Sequence, residues 1–173
     1  WRGVRWDWTG SIRADPVDES ELVLGALSCN HNNRHGFGRE GYPFSSETLW
    51  FPHADLAKKL ERQDPDLLFF AGDQIYEGAS PTFPDRSQPY LDYSYKWYLW
   101  YWAFGELARD RPSITIPDDH DVYQGNLWGA GGRAAQRDNQ GGYVMPAEFV
   151  RMVDRTQTAH LPDPWSTLPL EQG

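Results

Sequence analysis

Leu67-Leu68-Phe69-Phe70 runs on through Ala71 into Gly72-Asp73-Gln74-Ile75-Tyr76, and the fold turns on how that stretch is read. A short, continuous apolar run has the character of a strand buried on both faces. Here it stops at a glycine followed by a carboxylate. Two similar runs flank it. Leu22, Val23, Leu24, Ala26 and Leu27 form the first, also suited to a strand buried on both faces, and end at Cys29-Asn30-His31. Ile114-Thr115-Ile116 form the third, and Pro117 leads from it into Asp118-Asp119-His120-Asp121.

The intervening segments have a helical character. After a polar, Gly-containing loop and Ser45-Ser46-Glu47, Leu56, Leu60 and the Lys58-Lys59 pair show amphipathic spacing, and Asp64-Pro65 ends the stretch. From Tyr93 to Arg109, the residues Tyr93, Trp97, Trp100, Tyr101, Phe104, Leu107 and Ala108 recur at the period of a helix, which Arg111-Pro112 breaks. Past Val122 the chain is Gly-rich as far as Gly142, and a weaker helix follows over Ala147 to Thr156. Strand, helix, strand, helix, strand in this order predicts parallel, right-handed crossovers and an open α/β sheet. Ligands of such sheets bind beyond the carboxyl ends of the strands, where Cys29, Asp73 with Tyr76, and the acidic run 118–121 would meet.

The chain has 173 residues, enough for one domain with a substantial core. Residues 1–20 mix Trp, Arg and Asp without a period and read as an entry segment or the end of an upstream domain; 21–173 read as one incomplete domain. A start at Trp1 and a stop just after a Pro-rich stretch suggest a fragment. The net charge of −9, with no basic cluster, argues against a binder of the nucleic-acid backbone. No apolar run approaches membrane-spanning length. A single cysteine, Cys29, excludes an internal disulfide and leaves the compartment open. Aromatic residues make up 15% of the chain, nine of them Trp, a surplus suited either to a sugar-stacking face or to interfaces with a missing part of the fold.

Taken singly, the polar residues read as ordinary structure. Cys29 would be a small hydrophobe, Asp73 a turn cap, the acidic run a solvated turn, and His31 and His35 solvent-facing loop residues. His53 and His160 read as surface groups, although His160 is a candidate for a further ligand. Together they read differently. Asp73, Asp118, Asp119 and Asp121 at one sheet edge would repel one another unless a cation neutralised them. Carboxylates with one imidazole suit iron, manganese, calcium or zinc, and a thiolate shifts the choice toward iron or zinc. Two ions bridged by one aspartate can activate water and clamp both oxygens of an in-line phosphoryl displacement. The sequence has no G-x-S-x-G elbow and no Walker A pattern. Gly36-Phe37-Gly38-Arg39-Glu40-Gly41 spells G-x-G-x-x-G, but Pro43 follows it rather than a helix.

The combination of LSCN after the first strand, FFAGDQIYEG after the second and IPDDHDVYQGN after the third resembles the alkaline phosphatase D (PhoD-like) branch of the calcineurin-like metallophosphoesterases. The likeness runs from about Glu21 to Gly173 and covers only the N-terminal part of that family's catalytic domain. It implies a partial four-layer αββα sandwich with a mixed, mainly parallel sheet, and metal-dependent hydrolysis of phosphate esters. Cys29, Asp73 and Tyr76 fall on the family's ligands for a ferric ion, with Asp73 bridging to a second metal. Asp119 falls on a further metal ligand, and His120 on the residue that stabilises phosphate charge or protonates the leaving group. Asn126, Asp118 and Asp121 are site-adjacent. The resemblance implies Fe(III) with Ca(II), with zinc or manganese as alternatives, an extracytoplasmic setting, and a C-terminal half to complete the domain. Pro117 stands where relatives often have Trp. The rival readings are a calcium-containing carbohydrate-binding module that stacks sugars on the Trp and Tyr surplus, and a pseudo-enzyme fragment that pairs with a separate second half.

Overall fold

The computed structural model describes residues 9–14, 17, 20–32, 51–78, 80–82, 84–124, 133–137 and 140–162. Three strands, β1 (Leu24–Leu27), β2 (Leu67–Ala71) and β3 (Ser113–Ile116), form a parallel sheet in the order β1-β2-β3. Helix α1 (Ala54–Glu61) joins β1 to β2, and α2 (Pro89–Ala108) joins β2 to β3. A 3₁₀ helix (His120–Val122) follows β3, and α3 (Ala147–Gln157) comes later. The expected strand-helix alternation is thus present, and the α/β class with it.

The register puts Leu68 and Phe70 of β2 in line with Gly25 of β1 and Thr115 of β3 on one face, since alternate residues share a face. The helices pack there. Phe70 meets the edge of Trp100 at a centroid distance of 4.8 Å and Phe104 at 5.7 Å, while Trp97 stacks on Trp100 at 4.7 Å. Leu60 of α1, Tyr93 and Leu107 of α2, and Phe149 and Val153 of α3 complete the same cluster. Burial of each such side chain contributes about 1.5–3 kcal/mol. Gly25 permits the close approach, because a Cβ there would come within 2.9 Å of Leu60 Cδ1.

The opposite face differs from the sequence expectation. Leu22 and Leu24 are 60% and 51% exposed, and Ile116 is 38% exposed. Strand β1 is therefore not buried on both faces. The physical reason is that the packing helices crowd onto the Leu68–Phe70 face, and no described element covers the other. The periodic set on α2 also needs one correction. Tyr93, Trp100, Phe104 and Leu107 are buried, whereas Tyr101 faces solvent and the core side includes Asp92 and Lys96.

Beyond the carboxyl ends of β2 and β3 the two loops are tied together by Asp121, which is fully buried. Its Oδ2 accepts hydrogen bonds from the backbone N–H of Asp73 at 2.7 Å and of Asp118 at 2.9 Å. Its Oδ1 accepts from the N–H of Ile75 at 2.8 Å and from Gln157 Nε2 at 2.8 Å. Gln74, also fully buried, donates through Nε2 to the Ile116 carbonyl and to Gln157 Oε1, both at 2.9 Å. Gly72 is required by the same convergence. Its φ is +90°, and a Cβ would lie 2.4 Å from Asp118 Cβ.

Asp121→Asn keeps the size of this group but turns one acceptor into a donor that faces two N–H groups. The substitution is expected to lower stability by about 2–4 kcal/mol. Urea unfolding of the chelator-treated protein checks this, and a loss under about 0.5 kcal/mol would contradict the hub assignment.

Candidate metal centre

The strand ends bring the candidate side chains together through two unusual backbone turns. Cys29 (φ 55°) and Asp73 (φ 56°) both adopt the left-handed region that non-glycine residues rarely occupy. The Cys29 N–H donates to the Gly72 carbonyl at 3.2 Å, which links the end of β1 to the end of β2. Asp119 caps the 3₁₀ helix, its Oδ1 accepting from the N–H of His120 at 2.9 Å.

Asp73, Asp119 and His120 each offer one ligand atom such that the three atoms lie within 4.8 Å of one another. Asp73 is buried, while Asp119 and His120 are half-buried. Tyr76 donates its phenolic hydrogen to Asp73 Oδ2 at 3.2 Å, and the Cys29 thiol lies close enough to act on the charge of both Asp73 and Tyr76. Ser28 Oγ lies 3.1 Å from Cys29 Sγ. All five expected ligand and catalytic positions, Cys29, Asp73, Tyr76, Asp119 and His120, therefore gather around Asp73, and Tyr76 also packs its ring against His120 at 4.5 Å.

Burial dominates the electrostatics of the cluster. It pushes the Asp73 carboxyl above its ordinary range, and the Asp119 charge adds to the effect while His120 opposes it. Burial and the Asp73 charge likewise raise the Tyr76 phenol. A raised carboxyl beside a second carboxylate is the electrostatic signature of a site that a cation would relieve. The donor set of two carboxylates, a thiol and a phenol fits a hard or borderline ion.

His120 has a partner that sequence reading missed. Its Nδ1 lies 2.8 Å from Glu77 Oε2, a half-buried pair. That hydrogen bond and the Glu77 charge raise His120 to about 9, against the cost of burial, and the ring is an imidazolium at neutral pH. Although burial disfavours its charge, Glu77 is held below the usual glutamate range, chiefly by the bond to His120. Nδ1 is thus committed to Glu77, and Nε2 is left for whatever enters the site. Glu77 carried no separate signal, being one more carboxylate in a strand-end loop.

Other expectations divide. Asp121 does not join the cluster: it is engaged wholly by N–H donors in the interior, where burial raises it to about 6. Asp118 is exposed and accepts from the N–H of Asp119 at 2.8 Å, so the sequence reading of four carboxylates around one cation reduces to Asp73 and Asp119. Asn126 and His35 lie outside the described residues. His31 is half-buried and meets the Tyr76 ring at 4.4 Å, in place of the solvent-facing position expected for it. His53 is not a surface group either. It bonds Asn32 Oδ1 at 2.9 Å, stacks on Phe104, and is lowered by burial. His160 is exposed and accepts from the Thr115 N–H at 3.4 Å, away from the ligand cluster. Among the described residues no helix is long and apolar enough to cross a membrane. No family model matches the chain, and no curated protein or solved structure matches it.

The Glu77–His120 pair titrates in a defined way. A raised histidine contributes stability that is full below its unfolded value of 6.5 and disappears as pH rises through about 9. In the chelator-treated protein, Glu77→Gln is expected to bring His120 from about 9 down toward 6.5, followed by NMR of the ring protons. An unchanged titration would separate Glu77 from His120.

Proposed function

We propose that this chain carries the first part of a metallophosphoesterase site, which hydrolyses phosphate esters of the alkaline phosphatase or phosphodiesterase type. The observation that carries the reading is the convergence of Asp73, Asp119 and His120 within 4.8 Å at the carboxyl ends of a parallel sheet, with Tyr76 hydrogen-bonded to Asp73 and Cys29 near enough to act on its charge. Those are the positions that the resemblance to PhoD-like enzymes assigns to the site.

Cys29, Asp73, Tyr76 and Asp119 would hold the cations, Fe(III) with Ca(II) by the resemblance, and zinc or manganese by the donor chemistry. A bound pair supplies Lewis-acid activation of water and neutralises charge on the phosphoryl group. The chain's own contribution is placement and proton transfer. Asp73 is fixed by its N–H to Asp121, and Tyr76, whose phenolic hydrogen now rests on the Asp73 carboxylate, would give up that proton to hold a cation. His120 is held by Glu77 through Nδ1 as an imidazolium, which leaves its Nε2–H to be given to the oxygen of the departing alcohol. Transfer of that proton as the P–O bond breaks releases a neutral alcohol, and the ring then takes up a proton from solvent.

The uncovered apolar face of the sheet, with Leu24 and Ile116, supports the further proposal of a four-layer sandwich completed by a C-terminal half. A sugar-binding reading rests on exposed rings of α2, Tyr95, Tyr98 and Trp102. It gives no role to the Glu77–His120 pair, and so the phosphoesterase reading is preferred.

Elemental mass spectrometry of the purified chain is expected to find bound metal that disappears in Asp73→Asn, with hydrolysis of 4-nitrophenyl phosphate lost alongside. His120→Ala is expected to retain the metal and to lose roughly 10²-fold in turnover, the scale of removing one transition-state group. Metal-free wild-type protein, or sugar-dependent Trp fluorescence without ester hydrolysis, would sink the proposal.

A further inference from the structure

A second layer of charged groups lies beneath the site, on α2, and no step above uses it. Lys96 is 1% exposed, and its ammonium group has three partners. Nζ donates to the Tyr76 carbonyl at 2.9 Å and to the Gly78 carbonyl at 2.8 Å, and it lies 3.3 Å from Asp92 Oδ2. All three ammonium hydrogens are thereby accounted for. Asp92, also buried, receives the phenolic hydrogen of Tyr123 on Oδ2 and the N–H of Asp85 on Oδ1 at 3.2 Å. Tyr123 is the residue that closes the 3₁₀ helix of His120, its φ being 59° and its N–H donating to the His120 carbonyl at 3.0 Å.

One buried ion pair on a single helix therefore grips both halves of the Glu77–His120 couple. Lys96 holds the backbone on either side of Glu77, and Asp92, through Tyr123, holds the turn that presents His120. Burial lowers Lys96 and its carboxylate partner opposes that effect, so the pair is an interior one. An interior ion pair is weak evidence for stability, because desolvating two charges costs about what their attraction returns. What this pair does carry is geometry, since its acceptors are two carbonyls of the loop that contains Glu77.

We infer that Asp92 and Lys96 are positioning residues: they set the Glu77–His120 hydrogen bond from below, and with it the direction in which His120 presents Nε2. The inference rests on the proposed phosphoesterase function for its kinetic consequence, but not for its structural one. It assigns Lys96 no contact with substrate or metal.

The test uses the full chain with ¹⁵N-labelled histidine. Wild-type protein is expected to show an exchange-protected Nδ1–H resonance, assigned to His120 by its loss in His120→Ala. Lys96→Met is expected to abolish that resonance and to lower kcat roughly 10- to 100-fold with KM nearly unchanged, the scale of a misplaced catalytic group. Lys96→Arg, which keeps the charge and the donors, is expected to restore part of both. Tyr123→Phe removes only the tie to Asp92 and keeps the ring, and it is expected to weaken the resonance even where Lys96→Met does not fold. A protected resonance that persists in folded Lys96→Met or in Tyr123→Phe overturns the inference, as does its absence from wild type. If wild-type protein hydrolyses no ester, the functional proposal fails, and the resonance alone then decides the positioning role.

Discussion

The carboxylate of Asp121 is the constraint on which the arrangement depends. A strand that ends in a polar loop leaves backbone N–H groups pointing into the interior, and each must find an acceptor. Here the loops after β2 and β3 leave three, those of Asp73, Ile75 and Asp118, and a single side chain from the second loop receives all of them. The fourth donor, Gln157, is the last residue of α3, so the same group also fixes where that helix ends against the sheet. Sheet edge, site loops and third helix are joined by one pair of oxygens. A buried charge satisfied by four donors is costly to disturb, which makes the junction stiff.

That stiffness accounts for the division of work among neighbouring acids. Asp118, Asp119 and Asp121 are nearly consecutive, yet they face three environments. Asp118 precedes the 3₁₀ helix, Asp119 caps it and Asp121 lies within it, so the three side chains leave different parts of the turn. Asp121 consequently points into the interior, Asp119 toward Asp73, and Asp118 toward solvent. Composition cannot distinguish them, and neither can spacing without the turn geometry. The metal-compatible group is smaller than the acidic run suggests because one of its acids holds up the loop on which the others sit.

Much of the fold was legible. Continuous apolar runs located all three strands, and the period of Tyr93, Trp97, Trp100 and Phe104 located α2, because burial along one face leaves a trace in the sequence. What escaped was whatever depends on the far side of the sheet. Leu22 and Leu24 are apolar enough for burial, and only the crowding of the helices onto one face shows that nothing among the described residues covers them. The polar interior escaped for a different reason. Lys96 and Asp92 sit one turn apart on the buried side of α2, a spacing that in sequence reads as a solvated ion pair. Their burial follows from Tyr123 and the Tyr76–Gly78 carbonyls, contributed by loops far along the chain. Glu77 was hidden in the same way, since a loop carboxylate acquires meaning only from the imidazole opposite it.

Among the described residues, part of the aromatic surplus belongs to the same logic. A three-stranded sheet offers a narrow platform, and one helix face must fill the space above β2 that several smaller side chains would fill in a wider fold. Large rings do this with few residues. Trp97, Trp100 and Phe104 form a continuous stack over Phe70, and Tyr93, Tyr123 and Phe149 form a second group beside it. The second group reaches the site directly, because Tyr123 belongs both to the aromatic cluster and, through its hydroxyl, to the Asp92–Lys96 pair. A ring wedged between Tyr93 and Phe149 cannot follow the fluctuations of a loop, and a hydroxyl on that ring transmits its rigidity to the charged layer. Core packing and site geometry therefore meet in one residue, and the order imposed on His120 comes from the hydrophobic core as much as from the hydrogen bonds around it.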